Sequence, residues 1–241
     1  MDCGRKKAIE FARSVQGDVD WDYKHLHLNV FDDTAVEMHY VPEVFLNLRK
    51  NRKLQKWFRE PEVLSSMFFH SAGSETSLSG DMVCPSVEFN LFYILLHTYR
   101  HFLYEGVGMR QLMDYYFVLR ASSNVPSSRI QEVARPIESF GMKKFASGVM
   151  WIMKEVFGMD DQHLICESDE KEGRYILSEV MTGGNFGHHD ERLSNNSKGK
   201  LSAIRKILRH NLHLLMHYPG DTLWAPVWIV YHWCWKRLNR I

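Results

Sequence analysis

The chain has 241 residues, 45% of them apolar and 24% charged, with a formal net charge of +1. That length holds one large domain or two small ones with ample core, and the balanced charge removes any global argument for nucleic acid or an anionic membrane as partner. Cys3, Cys84, Cys166 and Cys234 are too scattered for a disulfide framework or a zinc knuckle, which predicts reduced thiols in a cytoplasm.

Arg5 to Gln16 carries Ala8, Phe11, Ala12 and Val15 at the spacing of one helix face. Its charged start shows no signal peptide. Two alternating stretches follow, His25-Leu-His27-Leu-Asn29-Val-Phe and Ala35-Val-Glu37-Met-His39-Tyr. They predict a β-hairpin with Asn29 opposite Glu37 and His27 opposite His39. The other face then pairs Val30 with Val36, Leu28 with Met38 and Leu26 with Tyr40, under the cover of the N-terminal helix. A slip of one residue would mix Leu with Glu, so the hydrophobic pattern selects this register. It implies a three-residue turn, Asp32-Asp33-Thr34.

Everything after Pro42 reads helical. Leu48 to Arg59 is a basic amphipathic helix, and the runs Arg49–Lys53 and Arg205–Arg209 read as solvated helix faces. Ser71 to Gly80 reads as a loop. Pro85 to Tyr104 is apolar on nearly all sides and predicts the central buried helix. Gly106 and Gly108 break it, and Met109 to Leu119 resumes. Helices are expected at Ser128–Phe140 and Met142–Phe157, with Gly141 between them as hinge or cap. Another is expected at Glu170–Met181, then a polar loop from Gly183 to Lys200, and helices at Leu201–Tyr218 and Leu223–Leu238. The greasiest stretch, Leu223 to Trp235, is too short to span a bilayer. The fold class is α+β, mostly α: a small sheet segment over residues 1–42, then a helical bundle of about six to eight helices over residues 43–241.

Four constellations carry chemistry. Glu37 with His39, His25 and His27 puts a carboxylate and imidazoles on one sheet face, either a divalent-metal ligand set or a polar outer face. His97 and His101, in His97-Thr-Tyr-Arg100-His101, are one turn apart on a helix, either within reach of one ligand or two core histidines hydrogen-bonded to neighbours. No Glu follows the first His, so this is not a zinc-protease motif. In Gly106-Val-Gly108-Met-Arg110-Gln-Leu-Met-Asp114 the glycines lie between helices, which excludes a dinucleotide fingerprint. A partly buried Arg110 beside a glycine turn and a helix N-terminus suggests a phosphate or carboxylate seat. Gly183-Gly184-Asn185-Phe186-Gly187-His188-His189-Asp190 could close over a pocket. Trp224, Trp228, Trp233 and Trp235 read as packing residues.

Taken in order, Val36-Glu37-Met-His39-Tyr40, the helix pair from Leu95 to Leu119, the stretch Gly141 to Met159 and the loop Gly183 to Arg192 resemble the uncharacterised nucleotidyltransferase family of bacteria, over nearly the whole chain. The resemblance implies a small mixed sheet with metal carboxylates joined to a helical domain. It implies transfer of a nucleoside monophosphate from an NTP to an unknown acceptor, with Mg2+ (magnesium) and three acidic residues. By it, Glu37 takes the third acidic position, as catalytic and metal residue. His39, His97, His101, Arg110 and Asp114 take polar positions and are the candidate substrate-binding residues.

The family's Asp-x-Asp strand is expected before Asp2, so the sheet reads as truncated and this chain as impaired or inactive, with an exposed sheet edge open to a partner or to self-association. Gly17-Asp18-Val19-Asp20 resembles that metal strand, but it follows the helix and reads as a loop. Two other readings stand beside the enzyme: a non-catalytic helical module that binds a ligand or partner, and a metal phosphohydrolase using the histidines. The last lacks a ligand set at helical spacing in more than one place.

Overall fold

The computed structural model describes residues 4–34, 36–67, 69–70, 83–183 and 212–239. The expected loop Ser71–Gly80, the His188-His189-Asp190 loop and the first part of the helix expected at Leu201–Tyr218 lie outside them. The fold is α+β and mostly α, with two small antiparallel sheets of two strands each among the described residues. It divides into two compact units, Met1–Gln55 with Leu223–Ile241, and Lys56–Thr222.

In the first unit, α1 (Arg5–Gln16) packs on the hairpin of β1 (His25–Leu28) and β2 (Val36–His39). The core between them holds Ala8, Ile9, Ala12, Val19, Leu26 and Leu28, with Trp21, Val36, Met38 and Tyr40 at its margin. The expected helix face needs correction. Phe11 and Val15 are about half exposed, at 53% and 50%, and Ile9 is buried instead. Ala8 and Ala12 let the helix backbone approach Leu26 and Leu28 closely, which a phenyl ring on that stripe would prevent.

The register also differs from expectation. His25 pairs with His39, Leu26 with Met38, His27 with Glu37 and Leu28 with Val36. The paired residues keep their expected faces, but the strands are shifted by two residues, and residues 29–34 lie outside the ladder in place of a three-residue turn. A shift of two preserves the alternation, so the hydrophobic pattern cannot detect it. Gln16 decides it: its Oε1 accepts the Asn29 N–H at 2.8 Å and its Nε2 donates to the His27 carbonyl at 3.1 Å. With its N–H bonded to Gln16, Asn29 leaves the ladder, and Val30 and Phe31 stay exposed. The outer edge of β1 is met by the chain itself. His27 N–H donates to the Asp20 carbonyl and Asp22 N–H to the His25 carbonyl, both at 2.9 Å. Asp18 and Asp20 lie outside any strand, as expected of a loop.

The same unit holds the C-terminal helix Ala225–Asn239. Tyr23 meets Trp228 and Trp235 edge-on, at ring separations of 5.3 and 5.2 Å, and the Arg5 guanidinium lies 5.2 Å from the rings of both Trp21 and Trp235. Trp228 and Trp235 pack, as expected, whereas Trp233 is 57% exposed and corrects that expectation. Lys24 and Glu43 form a buried ion pair at 3.3 Å. Helix α2 (Leu48–Trp57) spans the division between the units in sequence.

In the second unit, α3 (Pro61–Met67) leads to β3 (Phe69–His70), which pairs antiparallel with β4 (Val83–Cys84). These strands correct the all-helical reading after Pro42; two residues are too few to show an alternation. Helix α4 (Val87–Tyr104) starts where Ser86 Oγ accepts the Phe89 N–H, and it buries Phe89, Leu91, Phe92, Leu95, Leu96, Tyr99, Phe102 and Leu103. It ends at Gly106, whose φ of 93° lets its N–H turn back to the His101 carbonyl. Helices α5 (Met109–Ala121), α6 (Ser127–Ser139), α7 (Lys143–Glu155) and α8 (Glu170–Gly183) follow close to their expected limits. Gly141, at φ 70°, caps α6. Among the described residues no helix is long and apolar enough to cross a membrane.

Candidate functional site

Alternation along two paired strands sends His25 and His27 from β1, and Glu37 and His39 from β2, to the face opposite α1. His25 Nε2 lies 3.6 Å from Glu37 Oε1, and His39 Nε2 lies 3.3 Å from Glu37 Oε2. The His25 ring stacks on His39 at 5.1 Å and meets His27 edge-on at 4.9 Å. His25, His27 and Glu37 each offer a ligand atom, and the three atoms lie within 4.8 Å of one another. It is the one such group of three among the described residues.

The electrostatics suit coordination. Partial burial raises the Glu37 carboxyl, but His25, the hydrogen bond and charge of His39, and His27 together outweigh it and hold the group below its ordinary value. Burial pushes the His39 imidazole down, and the nearby Lys24 ammonium pushes it further, against the Glu37 hydrogen bond. A carboxylate held ionised beside imidazoles is a competent metal ligand. Asp22, in the turn before β1, accepts the Lys24 and His25 N–H groups at 2.7 and 3.0 Å, and its Oδ1 stands 3.6 Å from His25 Nδ1. The sequence carries one signal for Asp22, an Asp three residues before the first His.

In the second unit, α4 brings His97 and His101 together, with their Nε2 atoms 3.1 Å apart. His101 Nδ1 lies 2.7 Å from Glu105 Oε2, and Arg100 donates to Glu105 Oε1 at 2.9 Å. Glu105, spaced four residues from His101, is legible in the sequence as its neighbour along the helix. Arg110 and Asp114 are both exposed on α5, which corrects the expectation of a partly buried arginine. The glycine turn before them is closed by Gln111, whose side chain accepts the Gly108 N–H at 3.0 Å. Arg110 sits in the first turn of α5.

A family model described as an uncharacterised nucleotidyltransferase matches residues 15–158, more than half of the chain. The chain belongs to this family. Comparison with curated proteins and with solved structures gives no match. The nucleotidyltransferase match encloses both histidine clusters and all six candidate positions, Glu37, His39, His97, His101, Arg110 and Asp114. Membership carries a nucleotidyltransferase-like function and a nucleotide substrate in general, and the family generally uses divalent metals. Magnesium does not fit the ligands this hairpin offers. It takes oxygen ligands in near-octahedral array, whereas the group around Glu37 holds one carboxylate and two imidazoles, with a third imidazole bonded to that carboxylate.

Proposed function

We propose that this nucleotidyltransferase-like protein binds an NTP and transfers its nucleoside monophosphate to an acceptor. The acceptor oxygen bonds to the α-phosphorus, the bond from that phosphorus to the β-phosphate oxygen breaks, and pyrophosphate leaves with the electron pair. Glu37, held ionised and hydrogen-bonded to His39, is assigned as the catalytic carboxylate by its place in the family resemblance. Arg110, exposed in the first turn of α5, supplies a fork of donors beside a helix N-terminus, a combination that attracts phosphate oxygens. The His97–His101 pair, tied to Glu105, and Asp114 are assigned to substrate contacts. The observation that carries this reading is the family match over residues 15–158, which contains every one of these positions.

One observation favours a second reading, a module that binds the nucleotide without turning it over. Metal-assisted in-line transfer relies on carboxylates placed around the metal ions, and the group on the hairpin contains one, Glu37. Equilibrium binding of each NTP together with assays of pyrophosphate release distinguishes the two. The transfer reading expects binding that weakens about tenfold in Arg110→Ala and turnover that disappears in Glu37→Gln while binding persists. Binding without pyrophosphate release under any divalent ion assigns the module reading. Absence of NTP binding refutes both.

A further inference from the structure

We propose that the outer hairpin face binds a transition-metal ion of the zinc class, with His25, His27 and Glu37 as ligands and Asp22 and His39 as positioning residues. The ligand chemistry selects the ion. Imidazole nitrogens with one carboxylate suit zinc and its neighbours and are poor for magnesium or calcium. Ligand atoms sharing a tetrahedral zinc ion at about 2.0–2.1 Å stand about 3.4 Å apart. His25 Nε2 and Glu37 Oε1 are already at 3.6 Å, and all three ligand atoms fall within 4.8 Å. The remaining contraction needs side-chain rotation, which the half-exposed Glu37 side chain can make by pivoting about its His39 contact.

The neighbours of these ligands carry the inference further. His25 Nδ1 is buried without a hydrogen-bond partner, and Asp22 Oδ1 stands 3.6 Å from it. Closing that gap puts the imidazole proton on Nδ1 and leaves the Nε2 lone pair directed toward Glu37 Oε1, the carboxylate–histidine–metal relay common in metal sites. His39 Nε2, 3.3 Å from Glu37 Oε2, fixes the other carboxylate oxygen and leaves Oε1 for the ion. The observed register builds the group, because it sets His27 directly opposite Glu37 and brings His25 beside it. With Asn29 opposite Glu37 instead, His25 would lie a further two residues along the ladder. Three protein ligands leave a coordination position open for water or an oxygen of an anionic ligand.

The inference does not rest on nucleotide transfer, because the metal is measured with no nucleotide present. The untagged full chain, stripped with a chelator, is titrated with Zn2+ alone and with Mg2+ alone by calorimetry, and with Co2+ by visible absorption. One equivalent of Zn2+ is expected to bind, with no Mg2+ heat at the same concentrations and with Co2+ bands of a low-coordinate nitrogen–oxygen site. His27→Ala and Glu37→Gln should abolish that equivalent, and Asp22→Asn should weaken it about 10- to 100-fold. Circular dichroism establishes that the variants remain folded, and Glu37→Gln, an exposed isosteric change, tests the site even if His27→Ala unfolds. Zinc binding unchanged in Glu37→Gln and Asp22→Asn would overturn the proposal. So would zinc binding lost only in His97→Ala/His101→Ala, or Mg2+ bound as tightly as Zn2+.

Discussion

His39 Nε2 lies 3.3 Å from Glu37 Oε2, two residues away on the same strand. The contact is possible because residues two apart share a sheet face, and it ties Glu37 to an imidazole before any ligand arrives. The wider group depends on the partner strand, which sets His25 and His27 against this pair.

The contact between α7 and α8 is close enough to be tested by one methyl group. A Cβ on Gly173 would stand 2.5 Å from Trp151 Cε3 and 2.7 Å from Trp151 Cβ. The second of these is a stem atom that cannot swing aside. Gly173→Ala gains about 1 kcal/mol of helix propensity and incurs overpacking of about 1–3 kcal/mol. A lower urea midpoint is expected, and a raised one would show that the two helices part without cost.

Lys24 and Glu43 are both buried at 3.3 Å, and Glu43 Oε1 also accepts the Val44 N–H at 3.0 Å. Glu43→Ala removes the carboxylate from a buried lysine and from a backbone donor together. The expected loss of stability is about 3–5 kcal/mol, the cost of breaking a buried pair from one side. Chemical denaturation measures it, and a loss under about 1 kcal/mol would mean that Lys24 reaches water when its partner is gone.

Four tyrosines of the second unit make its stability depend on alkaline pH. Burial holds Tyr99, Tyr104, Tyr115 and Tyr218 above the ordinary phenol range; Asp221 adds to the effect at Tyr99 and Tyr104, and Glu172 at Tyr218. The folded state therefore keeps protons that the unfolded state releases at about pH 10, the ordinary phenol value. This contribution is complete below that value and is lost as pH rises through it toward the folded values. Urea midpoints should fall between about pH 9 and about pH 11, with tyrosinate absorbance appearing together with unfolding. Titration of all four phenols in the folded state would contradict this.

The cysteines should differ in reactivity. Cys84 and Cys234 are exposed, whereas burial pushes the Cys166 thiol up, against the opposing influence of Ser147 and Lys143. The thiolate is the nucleophile. Iodoacetamide at mildly alkaline pH should therefore modify Cys84 and Cys234 well before Cys166, as followed by peptide mass spectrometry. Equal rates would place Cys166 in water.

Much of the architecture was legible from local signals. The N-terminal helix runs over Arg5–Gln16 as its periodicity and the following Gly17 imply, and the α4–α5 break falls at Gly106 because only a glycine takes φ 93° there without strain. The face of each paired residue in β1 and β2 was also legible, because alternation fixes it at period two. Burial of Ile9 in place of Phe11 was not, since both positions fit a helical stripe and only the closeness of Leu26 and Leu28 separates them.

By itself the sequence determined that a carboxylate and several imidazoles share the outer face of a hairpin, and that His97 and His101 share one turn of a buried helix. Both follow from the repeat of one backbone geometry, which needs no knowledge of what packs against it. Tertiary structure alone decided which residues stand opposite one another. A two-residue shift leaves the hydrophobic pattern unchanged, and it was Gln16, reaching from α1 to the Asn29 N–H, that ended β1 at Leu28 and set His27 across from Glu37. Asp22 beside His25 and the exposure of Arg110 were decided in the same way, by chain turns and neighbours that no periodicity encodes.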